Sequence, residues 1–298
     1  MQDQFVSAYL ATIRRRVFSP DGGFAGLEGG GYRADATAWG AVALEAVGQS
    51  PDLLTTARAR LEAQQLADGR VSLSPQHPDA VWLTPLAVLA WHQARDYREA
   101  TDKATRFMLA TTGRHWPRNP DLPYEHDPSI KGWPWISATH SWVEPTALAV
   151  LALRISGRGE HQRVEEGVRL LLDRQLPGGG WNYGNTRIFG RELFPFPEST
   201  GVALNALRGA AEPARVRKSL DYLHSSLREV RTPVALSWGL MGLAAWGEAP
   251  PEGGLWIKEC LAKQERYGPY DTVSLSLLLV ASRAPQGLES VFANRGKS

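Results

Sequence analysis

The sequence predicts an all-α fold in which six helix pairs close into a ring, an (α/α)6 toroid formed by residues 1–298 as one domain. Three observations predict it. A turn with the spacing Gln-x3-Gly-x-large apolar recurs at Gln65…Gly69…Val71, Gln175…Gly179…Trp181 and Gln264…Gly268…Tyr270. Each turn separates a polar-faced helix from an apolar one, and the unit returns at roughly 45 residues, which marks a repeat architecture. The apolar helices are apolar on nearly every side, so they belong in an inner ring that is covered all round.

The elements follow in chain order. Phe5, Tyr9, Leu10 and Ile13 form the stripe of a first amphipathic helix, closed by Arg14, Arg15 and Arg16 at the negative end of its dipole. The glycine-rich turn Asp21-Gly-Gly-Phe24 leads to Asp35 and an apolar helix over Thr37–Leu44. The second pair is an exposed helix from Pro51 to Gln65 and an apolar one over Val81–Trp91, with Pro85 in its first turn, where the missing N–H is harmless. The third pairs Arg98–Ala110 with Pro145–Leu153, separated by a long insertion, 114–142, rich in proline and aromatics. Long loops of that kind in folded domains are usually lids or binding loops. The fourth pairs His161–Arg174 with Ser199–Leu207, the fifth Ala214–Leu227 with Val234–Leu243, and the sixth Leu255–Gln264 with Thr272–Val280. A polar tail is expected over 284–298. Closure is preferred to an open superhelix because the sixth apolar helix is no more polar than the middle ones.

Composition removes several classes. The net charge is +2 and the lysines and arginines are scattered, so no basic stripe suits nucleic acid. Cys260 is the only cysteine, which excludes an intrachain disulfide and a cysteine-based zinc cluster. The first residues have no basic segment followed by an apolar run, and no segment has eighteen uninterrupted apolar residues. A cytoplasmic protein is expected, with peripheral membrane contact left open.

Gln175…Gly179-Gly180-Trp181 resembles the QW motif of triterpene cyclases of the squalene–hopene type, and Asp21-Gly-Gly-Phe24 with Tyr270-Asp271-Thr272 resembles the turns and inner helices of protein prenyltransferase β subunits. The resemblance covers the whole chain and implies an α/α toroid with an apolar central cavity for an isoprenoid. It also implies chemistry that this chain departs from. The cyclases protonate an alkene with a D-x-D-D-T acid, and no D-x-D-D stands here; Ala34-Asp35-Ala36-Thr37 and Tyr270-Asp271-Thr272 each keep one acid near a threonine. The prenyltransferases hold zinc with Asp, Cys and His, whereas the matching positions are Asp35, Thr37 and Asp271, a poor zinc set. The cyclases have two such domains and this chain has one, which leaves room for a partner chain or a homodimer.

Three sets of residues could carry chemistry. Asp35, Asp79, Glu144, Glu198 and Asp271 stand at the starts of the apolar helices, so a closed ring would gather them on one rim. Capping and helix-dipole compensation is their plain structural role. Glu144 and Asp35 lie close to Trp142 and Trp39, whose bulk would raise a carboxyl pKa, and they are the first candidates for a proton donor. The insertion supplies His115, Tyr124, Glu125, His126, Asp127 and His140; their spacing matches no common ligand pattern, so neither a metal nor a cofactor is expected, and Asp127 is a third candidate acid. The alternative for these groups is a solvated surface loop. Trp133, Trp135, Trp142, Trp39 and Trp238 are candidate substrate contacts together with Tyr124, His140, Glu198 and Asp271. Aromatic faces stabilise cations, though rings inside helices are more often core. Trp133-Pro-Trp135 and Phe194-Pro-Phe196 are expected to present rings on stiff exposed loops.

The resulting expectation is a terpene cyclase-like protein that acts on or binds an isoprenoid or another hydrophobic small molecule. A non-catalytic lipid- or protein-binding toroid is the second reading, and a carbohydrate-active α/α barrel, hydrolase or lyase, is the third.

Overall fold

Alternation of polar-faced and apolar helices sorts the chain into two layers. The computed structural model describes residues 2–18, 20–74, 76–119, 121–122 and 124–293. The polar-faced helices are α1 (Gln2–Arg15), α3 (Pro51–Ala63), α5 (Arg98–Ala110), α7 (Gln162–Asp173), α9 (Pro213–Ser226) and α11 (Gly253–Ala262), the last followed by α12 (Gln264–Tyr267). The apolar helices are α2 (Ala34–Val47), α4 (Leu83–Trp91), α6 (Val143–Ile155), α8 (Pro197–Leu207), α10 (Pro233–Ala245) and α13 (Thr272–Ser282). Contacts run from α2 through α4, α6, α8 and α10 to α13, and α13 packs back on α2. The apolar helices therefore form a closed inner ring, enclosed by the others.

Packing does not follow the order outer helix, then inner helix. Each outer helix rests mainly on the inner helix that precedes it: α3 on α2, α5 on α4, α7 on α6, and α1 on α13 across the closure. Loop length explains this. The link from α2 to α3 spans only residues 48–50, and short links make antiparallel neighbours, whereas the links from α1 to α2, α3 to α4, α5 to α6 and α7 to α8 are long loops; the link from α9 to α10, residues 227–232, is short. Between α8 and α10 the backbones nearly touch. A Cβ on Gly201 would stand 2.2 Å from the Trp238 carbonyl, so only glycine allows that approach.

The repeated turns have a common construction. The backbone N–H groups of Phe24, Val71, Trp133 and Trp181 donate to the hydroxyls of Thr37, Thr84, Thr146 and Thr200, at 2.8, 3.1, 3.0 and 2.9 Å. Each bond ties a turn to the inner helix that follows it. The Gln65 amide reaches the Ala100 carbonyl at 2.8 Å, and the Gln175 amide reaches the Arg215 carbonyl and the Ser219 hydroxyl at 3.1 and 2.9 Å. These glutamines join one outer helix to the next. Gln264 differs, for its carbonyl accepts the Tyr270 N–H at 2.9 Å. Gly179 takes a positive φ of 101°, and a Cβ there would meet the Lys218 carbonyl at 2.6 Å.

Trp133 is the third member of this series, and its place corrects an expectation. It is not an exposed ring: it is 1% exposed, with its indole N–H donated to the Met108 carbonyl at 2.9 Å. Trp181 does the same toward Leu171. The expected polar tail also begins later than residue 284. Leu288, Val291 and Phe292 are buried, and a short helix, α14 (Ser290–Ala293), packs on α2. The Leu288 N–H donates to Asn205 Oδ1 at 2.9 Å, while Phe292 lies edge-on to His92. This segment covers the end of the ring opposite the acids. The remainder of the expected tail, Asn294–Ser298, lies outside the described residues. Among the described residues no helix is long and apolar enough to cross a membrane.

Candidate functional site

All inner helices run in one direction, so their N-termini share one rim. The rim acids fall into two groups. Arg33 joins the first: its Nε donates to Asp35 Oδ1 at 3.0 Å, its second terminal nitrogen engages the other Asp35 oxygen, and its first reaches Asp271 at 3.2 Å. Asp271 also caps α13 by accepting the Ser274 N–H at 2.8 Å. Both Asp35 oxygens are thus engaged by a guanidinium, which removes Asp35 as the free acid expected there.

Glu144 and Glu198 form the second group, at the starts of the neighbouring helices α6 and α8. The Ser199 hydroxyl donates to Glu144 Oε1 at 2.8 Å, and no cation pairs with Glu144 among the described residues. Burial pushes the Glu144 carboxyl above the ordinary glutamate range; the Ser199 bond opposes this and the nearby Glu198 charge adds to it. Glu144 is therefore a half-buried carboxyl biased toward its neutral form. Asp79 stays apart, largely exposed and 3.4 Å from Arg70.

Asp127 does not fit the role of proton donor. Its Oδ1 accepts both the hydroxyl and the N–H of Ser129, at 2.6 and 2.9 Å, and these bonds hold its carboxyl below the usual range. It closes its own turn and offers its carbonyl to Arg174.

The insertion folds over the start of α6. Tyr124, His140 and Trp142 come together there, and Trp116, His126 and Arg174 join them around a hollow of about 210 Å3. Trp135 is half-buried, edge-on to Trp82 at 5.8 Å. Beside the hollow, Val143 donates its N–H to the Tyr183 carbonyl at 3.0 Å. The next stretch forms a hairpin, β1 (Arg187–Ile188) and β2 (Arg191–Glu192), whose Phe189-Gly190 tip has positive φ at both residues. Phe189 and Phe194 are 82% and 83% exposed, so the expected exposure of the Phe194 loop is present.

Trp39 and Trp238 are 5% and 6% exposed and meet edge-to-face at 5.6 Å. Their helices, α2 and α10, are the two neighbours of α13 in the ring. The two rings are part of the core. A larger hollow of about 1020 Å3 lies elsewhere, between α1 and α11 on the outer layer. Among the described residues no three metal-ligating side chains converge.

Sequence reasoning missed Arg33, Ser199, Trp116 and Arg174. The spacing acid-x-Thr at Asp35, Glu144 and Glu198 was available as a signal, since it places each acid two residues ahead of a buried threonine at the start of an inner helix.

No family model matches the chain, and no curated protein does. Solved structures do. An α-amylase from Clostridium perfringens superposes with a TM-score of 0.65 at 8% identity, covering 95% of this chain and 98% of that one. The type II terpene cyclase MstE from Scytonema, in complex with geranylgeranyl dihydroxybenzoate, gives 0.61 at 12% identity, covering 95% and 98%. The GH76A α-1,6-mannanase from Salegentibacter gives 0.60 at 14% identity, covering 96% and 99%. The chain is an α/α toroid, a fold shared by terpene cyclases and glycosidases. At these identities the likeness establishes the fold alone.

Proposed function

We propose that this toroid is an acid catalyst that binds an isoprenoid at the acid rim and protonates it with Glu144. The observation that carries the reading is the Glu144 carboxyl itself, half-buried, without a cation and held by one serine hydroxyl. A carboxyl whose proton is held more tightly than an ordinary glutamate's can, in its protonated form, deliver that proton to an alkene. The carboxylate left behind keeps the Ser199 hydrogen bond, and the Glu198 charge stabilises the carbocation formed. Aromatic faces near the start of α6, Trp142 first, add to that stabilisation. The cation then loses a proton or takes up water. The juxtaposition of Glu144 and Ser199 at the starts of α6 and α8 supports a reaction at the rim. Exposed Phe189 and Phe194 on the same side favour an apolar substrate and support peripheral membrane contact for a cytoplasmic protein.

The test is incubation of the purified protein with squalene and with prenyl diphosphates, followed by extraction. A new hydrocarbon or alcohol that is lost in Glu144→Gln supports the reading. Turnover retained in Glu144→Gln overturns it. A second reading, carbohydrate cleavage, is favoured by the Glu144–Glu198 pair on adjacent helices, since glycosidases use two carboxylates. Release of reducing ends from oligosaccharides, lost in both Glu144→Gln and Glu198→Gln, would select it.

A further inference from the structure

The hollow in the insertion has a composition that the acid chemistry does not need. Its walls are rings that fix one another. Trp116 lies edge-on to His140 at 5.0 Å, His140 faces Trp142 at 6.5 Å, and Tyr124 stacks on His126 at 4.8 Å. The Trp116 indole N–H donates to the Tyr124 hydroxyl at 2.8 Å and joins the two halves. Arg114 and Arg174 complete the wall, and no aspartate or glutamate lines it. Arg174 is 4% exposed and is balanced by Asp173 behind it. Arg114 is exposed and has no carboxylate partner among the described residues.

One buried atom is left over. His126 Nδ1 is enclosed and has no hydrogen-bond partner. Burial, and then the charge of Arg174, push this imidazole down to about 4, which keeps it neutral at physiological pH.

We propose that this hollow is a head-group subsite for a planar anion one ring in size, an aromatic carboxylate. Four features specify that class. The flat aromatic walls suit a ring. The free Arg114 guanidinium and the absence of acidic lining suit a negative charge. The His126 ring in the wall is kept neutral, so it offers an uncharged face to the ring of the ligand. The volume of 210 Å3 equals about seven water shares of roughly 30 Å3, which is the scale of one substituted ring. The proposal adds a head group to the substrate of the rim reading, but the head alone should bind whether or not Glu144 is catalytic.

The test is titration of the full chain with 4-hydroxybenzoate, followed by tryptophan fluorescence and calorimetry. The controls are 4-hydroxybenzamide, benzyltrimethylammonium and mannose. Saturable binding of the carboxylate is expected, at least about tenfold tighter than the amide, because a charge-assisted bond to Arg114 is lost in the amide. Arg114→Gln should weaken the carboxylate by a similar factor and leave the melting temperature unchanged, since Arg114 is exposed. His126→Phe, which keeps a ring in the wall and the stack on Tyr124, should leave the preference for the carboxylate over the amide in place. Any one of three results overturns the proposal: no saturation at millimolar carboxylate, equal affinity for carboxylate and amide, or an affinity unchanged by Arg114→Gln. Tighter binding of the ammonium would make the rings a cation cage, and tighter binding of mannose would make them a sugar platform; either excludes the anion subsite. Loss of turnover in Glu144→Gln with head-group binding intact would separate this site from the rim acid.

Discussion

Thr200→Val tests how the repeated turns are fastened. Thr200 and Trp181 are both fully buried. The Thr200 hydroxyl accepts the Trp181 N–H at 2.9 Å and passes its own proton toward the Trp181 carbonyl at 3.3 Å. Valine has the same shape and fills the same space, so packing is preserved, but it leaves the N–H with nothing to bond. The penalty for an orphaned buried donor is about 1–3 kcal/mol. At roughly 2 °C per kcal/mol for a chain this long, the melting temperature should fall by about 2–6 °C. Thr200→Ser keeps the acceptor and should recover most of the loss. Urea and thermal melts of wild type, Thr200→Val and Thr200→Ser decide the matter. A valine variant within about 0.5 kcal/mol of wild type would refute the reasoning, because surface substitutions away from specific contacts fall in that range. Equal losses in valine and serine would refute it too, since they would point to shape and not to the hydrogen bond.

Three further outcomes are expected. Glu144→Gln should raise stability at neutral pH and leave it unchanged in acid. The folded carboxyl titrates above the unfolded one, so the folded state holds the extra proton, and wild-type stability is lost as pH rises through that window; melts across pH measure the difference. Trp238→Ala should cost about 3–5 kcal/mol and leave a cavity beside Trp39, which hydrophobic-dye binding and urea melts would detect together. Acidification from pH 6.5 toward 4 should loosen the insertion, because unfolded histidine binds a proton there while buried His126 resists it; hydrogen exchange over residues 124–142 should show this in wild type and less in His126→Gln.

Much of the fold was legible because its signals are redundant. The helix expected over Arg98–Ala110 has those same bounds, and the inner helices were identifiable because each is apolar all round. The ring closure followed from the same property of α13. The failures have physical causes. Trp133 was read by its prolines and aromatics instead of by its distance to Thr146, which matches the thirteen-residue spacing of the first two turns. The hairpin at 187–192 escaped because its tip is Phe-Gly, and phenylalanine is a poor predictor of positive φ. The site was less legible than the fold. Which rim acids meet an arginine and which meet a serine depends on side chains from adjoining helices. Arg33 selects Asp35 and Asp271, and Ser199 selects Glu144, yet all of these stand in equivalent places in the sequence. Asp127 was named for its neighbourhood, but its role is set by Ser129 two residues on.

The central claim is that Glu144 carries a proton at the rim. Carboxyl-carbon NMR of protein labelled at glutamate, titrated through the acid range in wild type and Glu144→Gln, tests it most directly. One glutamate signal should titrate above the ordinary glutamate range, and that signal should be missing from Glu144→Gln. If every glutamate titrates within or below the ordinary range, or if the displaced signal persists in the variant, Glu144 is not the neutral acid and the rim mechanism is wrong.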